Sequence, residues 1–171
     1  NIFPNIIKYY ECPKCYAHYD EERVPFIEIS NYNPSQLLLD NMDKVRKCFD
    51  MVDILFEHIK ALNIEVEKNV VERLNHESYF WDILTQFKSR KKSFKLTVNT
   101  FPLVKEFDSK VMDWLFYKKN NSKTNFYIVV MHLDLTQSYM EKLLNNDIYV
   151  LKAGESISEL TRRLNFLLTI T

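Results

Sequence analysis

Two cysteines near the start of the sequence, Cys12 and Cys15, are the residues whose type and spacing most directly suggest chemistry. They flank a Pro-Lys pair, and two thiols separated by two residues are the usual spacing of half a tetrahedral zinc site. No second Cys-x-x-Cys pair follows, so the other ligands must come from the third cysteine and the histidines. We expect a zinc site formed by Cys12, Cys15, His18 and Cys48. Other candidate ligands are His58, His76 and His132, and inert structural thiols are the alternative to a zinc site.

A redox dithiol is another interpretation of the same pair. Cys12 would act as the attacking thiolate and Cys15 as the resolving thiol, with the cationic Lys14 lowering the pKa of the attacking thiol. The Cys-Pro-x-Cys turn after a strand, followed by an extended segment over 24–29, resembles the glutaredoxins of the thioredoxin fold. That resemblance implies a thiol-disulfide oxidoreductase in which Pro102 forms the proline loop beside the dithiol.

A carboxylate in a predicted strand is a candidate of a different kind. Residues 24–30 read Val-Pro-Phe-Ile-Glu-Ile-Ser, and their two-residue alternation predicts a strand with Glu28 on one face. An Asn-Tyr-Asn turn follows, and then a long predicted helix. The sequence therefore predicts that Glu28 lies beside whatever binds at the end of this strand.

This strand, turn and helix resemble the core of PD-(D/E)xK nucleases of the Mrr restriction type. In that family an upstream Asp and the Glu of a Glu-x-Lys strand bind a divalent metal that activates water, and the Lys orients the nucleophile. The resemblance implies that Asp20 and Glu28 are the catalytic carboxylates and that Mg²⁺ is the metal. Ser30 stands where the lysine is expected, so the implied core is degenerate.

Two further features belong to the same resemblance. Some members of the family carry a Cys-x-x-Cys zinc ribbon directly before the catalytic strand, which would place zinc and nuclease-like residues in one protein. The family also has a leading helix with an extra carboxylate, and the residues before Cys12 contain no counterpart. The end of the chain, from Phe126 through Leu168, is similar to the way such nucleases end.

A basic cluster in the middle of the sequence consists of Lys88, Arg90, Lys91, Lys92 and Lys95. Five positive charges at one turn could neutralise phosphates and give an affinity for nucleic acid that weakens with salt. The alternative is a solvated helix end, where cations are favoured by the helix dipole. Because 23 basic and 23 acidic residues give a formal net charge of zero, any such affinity must come from a local patch.

The strongest periodicity in the sequence runs from Gln36 to about Leu62. Its apolar residues are spaced alternately by four and three, as on one face of an amphipathic helix; they are Leu38, Met42, Val45, Phe49, Val52, Phe56 and Ile59. We expect this Leu38–Ile59 seam to pack on the protein's own sheet, and the alternative is a structural subunit that binds another chain. Helical register over 65–75 and a further helix over 78–87 would make 36–88 a helical segment.

The second half of the chain is predicted to alternate between strands and helices. A strand over 95–99 precedes a helix that Ser109 caps, and strands are predicted over 126–133 and 148–152. Thr136 is expected to cap the helix between them, and the capping box Ser156–Glu159 to open a final helix. Strands separated by helices in this way are predicted to be parallel.

Length and composition limit the class of protein. A chain of 171 residues suits one domain over 1–171, in which 1–23 is a small Cys-x-x-Cys head. The single glycine excludes a Gly-rich phosphate loop. No apolar run approaches the ~20 residues that span a bilayer, and three cysteines are too few for a disulfide scaffold. We therefore expect an intracellular protein of the cytoplasm or nucleus with no membrane partner.

Taken together, these patterns predict a helix-rich, three-layer α/β domain with a mixed or mostly parallel sheet. The function that we favour is a nucleic-acid-associated or assembly protein with a degenerate nuclease-like core and a zinc-binding head. The alternatives are the oxidoreductase and the partner-binding subunit.

Overall fold

The computed structural model describes residues 9–11, 18–20, 42–89, 92–102, 104 and 106–169. In chain order its elements are β1 (Tyr9–Glu11), β2 (His18–Asp20), α1 (Met42–Ala61), β3 (Glu67–Leu74), β4 (Glu77–Ser89), β5 (Lys92–Thr100), α2 (Ser109–Asn121), β6 (Phe126–Met131), α3 (Gln137–Leu144), β7 (Ile148–Lys152) and α4 (Ser158–Thr169).

A mixed sheet of five strands, in the order β3-β4-β5-β6-β7, forms the centre of the fold. The strands β3, β4 and β5 are successive antiparallel neighbours. The pairs β5–β6 and β6–β7 are parallel, as expected for strands connected through α2 and α3. The α/β class and the mixed sheet predicted from the sequence are confirmed.

Helices cover both faces of the sheet, so the fold has three layers. On β6, Phe126, Ile128 and Val130 pack with residues of α1 and α4, and we call this side the α1 face. The intervening Tyr127, Val129 and Met131 pack with residues of α2 and α3 on the opposite side, the α2 face. Because both faces of β6 are covered, its sequence is a continuous apolar run. No helix in the described part of the chain is both long and apolar enough to cross a bilayer.

Helix α1 uses its apolar seam to pack on the sheet. Val45, Val52 and Ile59 are 5%, 4% and 0% exposed, and the last two belong to the core of the α1 face. The helix ends at Ala61, and Asn63 follows with φ 59°, the left-handed conformation that commonly ends helices. These three seam residues pack within their own chain, as expected, whereas Met42 at the start of the described seam is 44% exposed. Binding of another chain through the seam stays a prediction.

The predicted helices over 65–75 and 78–87 are wrong, because these residues form the β3–β4 hairpin. Asn75 and His76 form the two-residue turn of this hairpin, with φ values of 51° and 68°. Two successive positive φ angles are what a type I′ hairpin turn requires. Consequently only 42–61 of the expected helical segment 36–88 is helical in the described structure.

The helix starts in the second half agree with the sequence in part. Thr136 caps α3 as predicted, since its side chain accepts a hydrogen bond from the Tyr139 backbone N–H. Helix α2 begins at Ser109, but the cap is Asp108, whose side chain accepts from the Val111 N–H at 2.9 Å. Asp108 takes this role because its carboxylate reaches the third backbone N–H of the helix.

The final helix α4 opens without the predicted capping box, in which the Ser156 side chain would accept from the Glu159 backbone N–H. Ser156 Oγ accepts a hydrogen bond from the Ser158 N–H at 3.3 Å. The Glu159 carboxylate, which should complete the box, instead pairs with Arg162 at 2.8 Å.

A small antiparallel pair, β1 and β2, stands at the start of the described chain, with Glu11 opposite His18 and Tyr9 opposite Asp20. Residues 12–17 between these strands, which include Cys12 and Cys15, lie outside the described residues. The same holds for 21–41, which include Glu28 and Ser30. The predicted strand over 24–30 therefore stays a prediction.

Candidate functional site

Asp82 is a carboxylate in an otherwise apolar stretch of β4, and the strand is irregular there. Trp81 and Leu84 pack on the α2 face, whereas Ile83 packs on the α1 face, so the strict alternation of a strand is interrupted at Asp82. The ladder between β4 and β5 begins at Ile83, just past Asp82. On the other side of β4, Asn69 of β3 adopts φ 54°. Asp82 thus lies where β4 and β5 separate.

A series of side-chain hydrogen bonds connects β4 and β5 at the point where the two strands separate. Asp82 Oδ2 accepts from the Thr100 backbone N–H at 2.8 Å and from Asn99 Nδ2 at 3.4 Å. Asn99 also donates to the Phe80 carbonyl at 3.0 Å and accepts from the Tyr127 hydroxyl at 2.7 Å. Asp82, Asn99 and Tyr127 are at most 2% exposed. Side-chain hydrogen bonds therefore bridge β4 and β5 where the backbone ladder is absent.

Cys48 of α1 approaches the same place from the α1 face. Its side chain is fully buried and lies close enough to Thr100 for a hydrogen bond. Burial raises the pKa of the Cys48 thiol, and the nearby Asp82 charge raises it further, while the Thr100 contact lowers it. A thiol with a raised pKa is a poor nucleophile at neutral pH.

Lys118 of α2 is a buried cation on the α2 face, 4% exposed. Its ammonium lies 4.9 Å from the Trp81 ring centroid, 5.6 Å from Phe101 and 5.4 Å from Trp114. It also lies 3.5 Å from the Phe80 carbonyl. Ring faces attract cations, and this attraction strengthens when the cation is removed from water. The aromatic rings therefore stabilise the buried Lys118 ammonium. The Phe80 carbonyl also accepts from Asn99, so this cation lies close to the Asp82–Asn99 hydrogen bond.

A second buried cation, Lys95, is held by an ion pair with Glu72 of β3. Its ammonium also donates to the Ser122 carbonyl at 2.8 Å. Glu72 accepts in addition from Trp81 Nε1 at 3.1 Å. Lys95 is only 7% exposed, so its ammonium interacts with Glu72 and the Ser122 carbonyl inside the protein.

His132 lies at the end of β6, at the edge formed by the carboxyl ends of the parallel strands. The ring is half-buried, and its Nδ1 is inaccessible to solvent and has no hydrogen-bond partner. Burial lowers the pKa of His132, the Lys44 charge lowers it further, and a hydrogen bond with the Pro102 backbone opposes both effects. Pro102 itself is buried.

The predicted metal and catalytic residues can be located only in part. His18 and Asp20 lie in β2, next to residues 12–17 that contain the Cys12–Cys15 pair. Cys48 lies in the core of the α1 face. Among the described residues, no three His, Cys, Asp or Glu side chains are grouped so as to hold a metal ion. The zinc set and the redox pair with Pro102 stay predictions, as do the catalytic roles of Asp20 and Glu28.

The residues around Asp82 do not fit Mg²⁺, which prefers several carboxylate, carbonyl or water oxygens in octahedral geometry. Asp82 Oδ2 already accepts two hydrogen bonds, and Asn99 Oδ1 accepts one from Tyr127. The described residues near Asp82 thus offer one carboxylate, and that carboxylate binds protein donors.

The structure divides the predicted basic cluster. Lys88 and Lys92 are exposed at the end of the β4–β5 hairpin, whereas Lys95 is buried in its pair with Glu72 and is not a surface contact. Arg90 and Lys91 lie outside the described residues. The predicted phosphate contact therefore stays open for Lys88 and Lys92 and is corrected for Lys95.

Asp82, Asn99 and Lys118 were not predicted from the sequence as site residues. Asp82 interrupts the apolar run Phe80-Trp81-Asp82-Ile83-Leu84, and a lone charge in a fully apolar strand is a signal because an unpaired buried charge is costly. Lys118, in the sequence Tyr-Lys-Lys-Asn-Asn, gives no such signal, because only the packing of α2 distinguishes it from Lys119.

These features define an α/β protein with a buried polar site where two central strands separate. No protein-family model matches the chain, and no curated protein matches it. Among solved structures, it is similar to Can2 from Sulfobacillus thermosulfidooxidans in complex with cyclic tetra-adenylate, with a TM-score of 0.47 and 15% identity over 67% of this chain and 34% of Can2. It is also similar to AF1548, a protein of unknown function, with a TM-score of 0.43 and 7% identity over 60% of this chain and 56% of that one. The chain spans only part of either protein.

Proposed function

We propose that the protein is a nucleic-acid-associated protein built on a degenerate nuclease-like core. The resemblance noted in the sequence requires a leading helix, an upstream Asp, a strand carrying the second acidic residue, and a following helix. The elements α1, β4, β5 and α2 occur in that order, with Asp82 on β4 and Asn99 on β5. The observation that carries the proposal is the buried Asp82–Asn99 contact where β4 and β5 separate.

In this proposal the site keeps the two positions that carry acidic residues in a nuclease, but only one of them holds a carboxylate. Asp82 takes the place of the upstream Asp, for which the sequence suggested Asp20, and Asn99 takes the place of the strand carboxylate, for which the sequence suggested Glu28. An amide in place of a carboxylate removes one negative charge, which weakens the attraction for a divalent metal. The core then serves to hold a nucleic-acid-binding surface and not to cut the bound strand.

The surface that we propose for nucleic acid is the end of the β4–β5 hairpin, with Lys88 and Lys92 as its described cations. Both side chains are exposed, and Lys95, which follows on the same strand, is neutralised by Glu72. Phosphate contacts by such lysines give affinity without sequence preference.

The test is the binding of a fluorescently labelled oligonucleotide, single-stranded or duplex, measured by anisotropy over a range of salt concentrations. Lys88→Glu with Lys92→Glu should lower the affinity by about tenfold or more, and each lost lysine should reduce the salt slope by roughly one. The matched control is Lys60→Glu with Lys142→Glu, two exposed lysines far from the hairpin in sequence. It changes net charge equally and should cost much less affinity.

Two results would contradict the proposal. One is binding that neither salt nor the hairpin variant weakens. The other is Mg²⁺-dependent cleavage by the wild-type protein that Asp82→Asn abolishes, because it would make the core an active nuclease.

A further inference from the structure

Lys123 is an exposed lysine in a backbone conformation that lysine rarely adopts. In the described part of the chain six residues other than glycine have a positive φ, and five of them are Asn, Asp or His, the types that tolerate it best. Lys123, with φ 57°, is the exception. Glycine or asparagine would take this conformation at a lower cost, so the lysine indicates a role for its charge.

The turn that contains Lys123 ends helix α2. The Lys123 N–H donates to the Asn120 carbonyl at 3.2 Å, and the Thr124 N–H donates to the Lys119 carbonyl at 3.0 Å. These two hydrogen bonds form a Schellman motif, in which the left-handed residue is usually glycine. They also occupy carbonyls at the end of the helix, which weakens the repulsion that unsatisfied carbonyls would exert on an anion there.

The same turn is fixed beside the β4–β5 hairpin. The Asn125 N–H donates to the Lys95 carbonyl at 2.9 Å, and the Lys95 N–H donates to Asn125 Oδ1 at 2.7 Å. The Lys95 ammonium donates to the Ser122 carbonyl at 2.8 Å. The turn is therefore bonded to β5 on either side of Lys123.

Lys88 lies on the same side of the sheet as this turn. It is opposite Ser93, two residues before Lys95, so Lys88 shares a face of the hairpin with Lys95, whose ammonium contacts the turn. Two residues of a strand span about 7 Å, which places Lys88 close to the turn. Because Glu72 neutralises Lys95, the charges of Lys88 and Lys123 remain available to a ligand.

We propose that Lys123 is a phosphate contact of the nucleic-acid surface, so that a bound strand runs from the end of the β4–β5 hairpin past β5 to the end of α2. This inference rests on the proposed function and extends it to a second element of the fold. Lys88 and Lys123 contact different phosphates of one strand. Beyond β6 the exposed Asp147 precedes β7, and its negative charge repels a strand that continues further.

The test is Lys123→Gly in the anisotropy assay with the same labelled oligonucleotide. The variant removes one charge, and glycine adopts a positive φ without strain, so the midpoint of urea unfolding should not fall. The affinity should fall by about threefold to tenfold, and the salt slope by roughly one. A residue with a purely structural role would not lower the affinity while the stability is kept.

Two control variants separate the charge from the backbone. Asn63→Gly changes the left-handed residue after α1, with φ 59°, and keeps the net charge. Lys44→Gln removes an exposed charge one turn before Cys48, which contacts Thr100 at the other end of β5. Both controls should leave the affinity unchanged.

The outcomes distinguish this inference from the proposed function. If the Lys88→Glu, Lys92→Glu variant weakens binding but Lys123→Gly changes neither the affinity nor the salt slope, the inference is overturned and the proposed function stands. If neither variant weakens binding, both are contradicted. A loss of affinity in Lys44→Gln as large as that in Lys123→Gly would show a general charge effect and would also overturn the inference.

Discussion

At the scale of single residues, Asp82 is a charged side chain in the protein interior, where charged side chains are rarely found. It is a carboxylate at 2% exposure, and it accepts hydrogen bonds from a backbone N–H and a side-chain amide. A buried carboxylate is tolerated when such donors replace the water that it has lost. Asp82 therefore has a structural role, because its hydrogen bonds join β4 to β5 beyond the end of their backbone ladder.

This role predicts how substitutions of Asp82 should differ in stability. Asp82→Asn keeps an oxygen that can accept from the Thr100 N–H and should cost about 1 kcal/mol, whereas Asp82→Ala leaves buried donors unsatisfied and should cost about 3 kcal/mol. The measurement is the free energy of unfolding in urea. Asp50→Ala, at an exposed position of α1, is the control and should change it by less than about 0.5 kcal/mol. If Asp82→Ala were as mild as the control, these hydrogen bonds would contribute nothing to stability.

At the scale of elements, α1 and the β3–β4 hairpin show which local patterns can be trusted. The seam of α1 repeats over several turns, and a pattern of that length specifies a helix. The spacing of Val66, Val70 and Leu74 by four also matches a helix, yet Val70 and Leu74 lie in β3, the first strand of the hairpin. Aromatic and β-branched residues such as Tyr79 and Trp81 favour strands, and the Asn75–His76 turn lets the chain reverse.

Two adjacent residues of α1 test whether its buried side faces the protein's own core. Leu55 is fully buried and Ile54 is 51% exposed. Leu55→Ala should lower the free energy of unfolding by roughly 2–5 kcal/mol, because it leaves a cavity in the core, and Ile54→Ala should change it by less than about 0.5 kcal/mol. Chemical denaturation measures both values, and light scattering on the same samples reports the oligomeric state. A loss of self-association in Leu55→Ala without a loss of stability would support the partner-chain interpretation.

At the scale of the whole molecule, one buried network connects the edge of the sheet to its centre and to a helix. Glu72 lies on the edge strand β3, Lys95 on the central strand β5, and Ser122 just after α2. The Glu72–Lys95 ion pair and the Lys95–Ser122 hydrogen bond thus join three elements distant in sequence. Such a pair is costly to break from one side, because the remaining charge stays buried.

A double-mutant cycle measures this connection. Glu72→Leu alone should destabilise the protein by about 3 kcal/mol, and adding Lys95→Met should recover part of that loss, because the double variant contains no buried unpaired charge. The comparison cycle uses the surface pair of Lys152 with Asp134, whose carboxylate side chain is 81% exposed, and should give a coupling of less than about 1 kcal/mol. Equal coupling energies for the two pairs would mean that burial does not strengthen the Glu72–Lys95 interaction.

Local sequence was sufficient where one pattern, repeated over enough residues, left a single arrangement. The helical seam of α1, the fully apolar strand β6 and the Thr136 cap all follow from neighbouring residues, as does the alternation that makes β6 and β7 parallel. These features depend on periodicity and on capping hydrogen bonds, which act over a few positions of the chain. The α/β class follows from them.

Only the tertiary structure decided which polar residues meet. Cys48, Asp82, Asn99 and Lys118 lie on four different elements, and their spacing in sequence contains no common pattern. Lys95 belongs to a basic run in the sequence, but folding brings Glu72 beside it and removes it from the surface. Contacts of this kind arise from strand register and helix packing, in which residues far apart in the chain share one low-dielectric interior, so no local pattern encodes them.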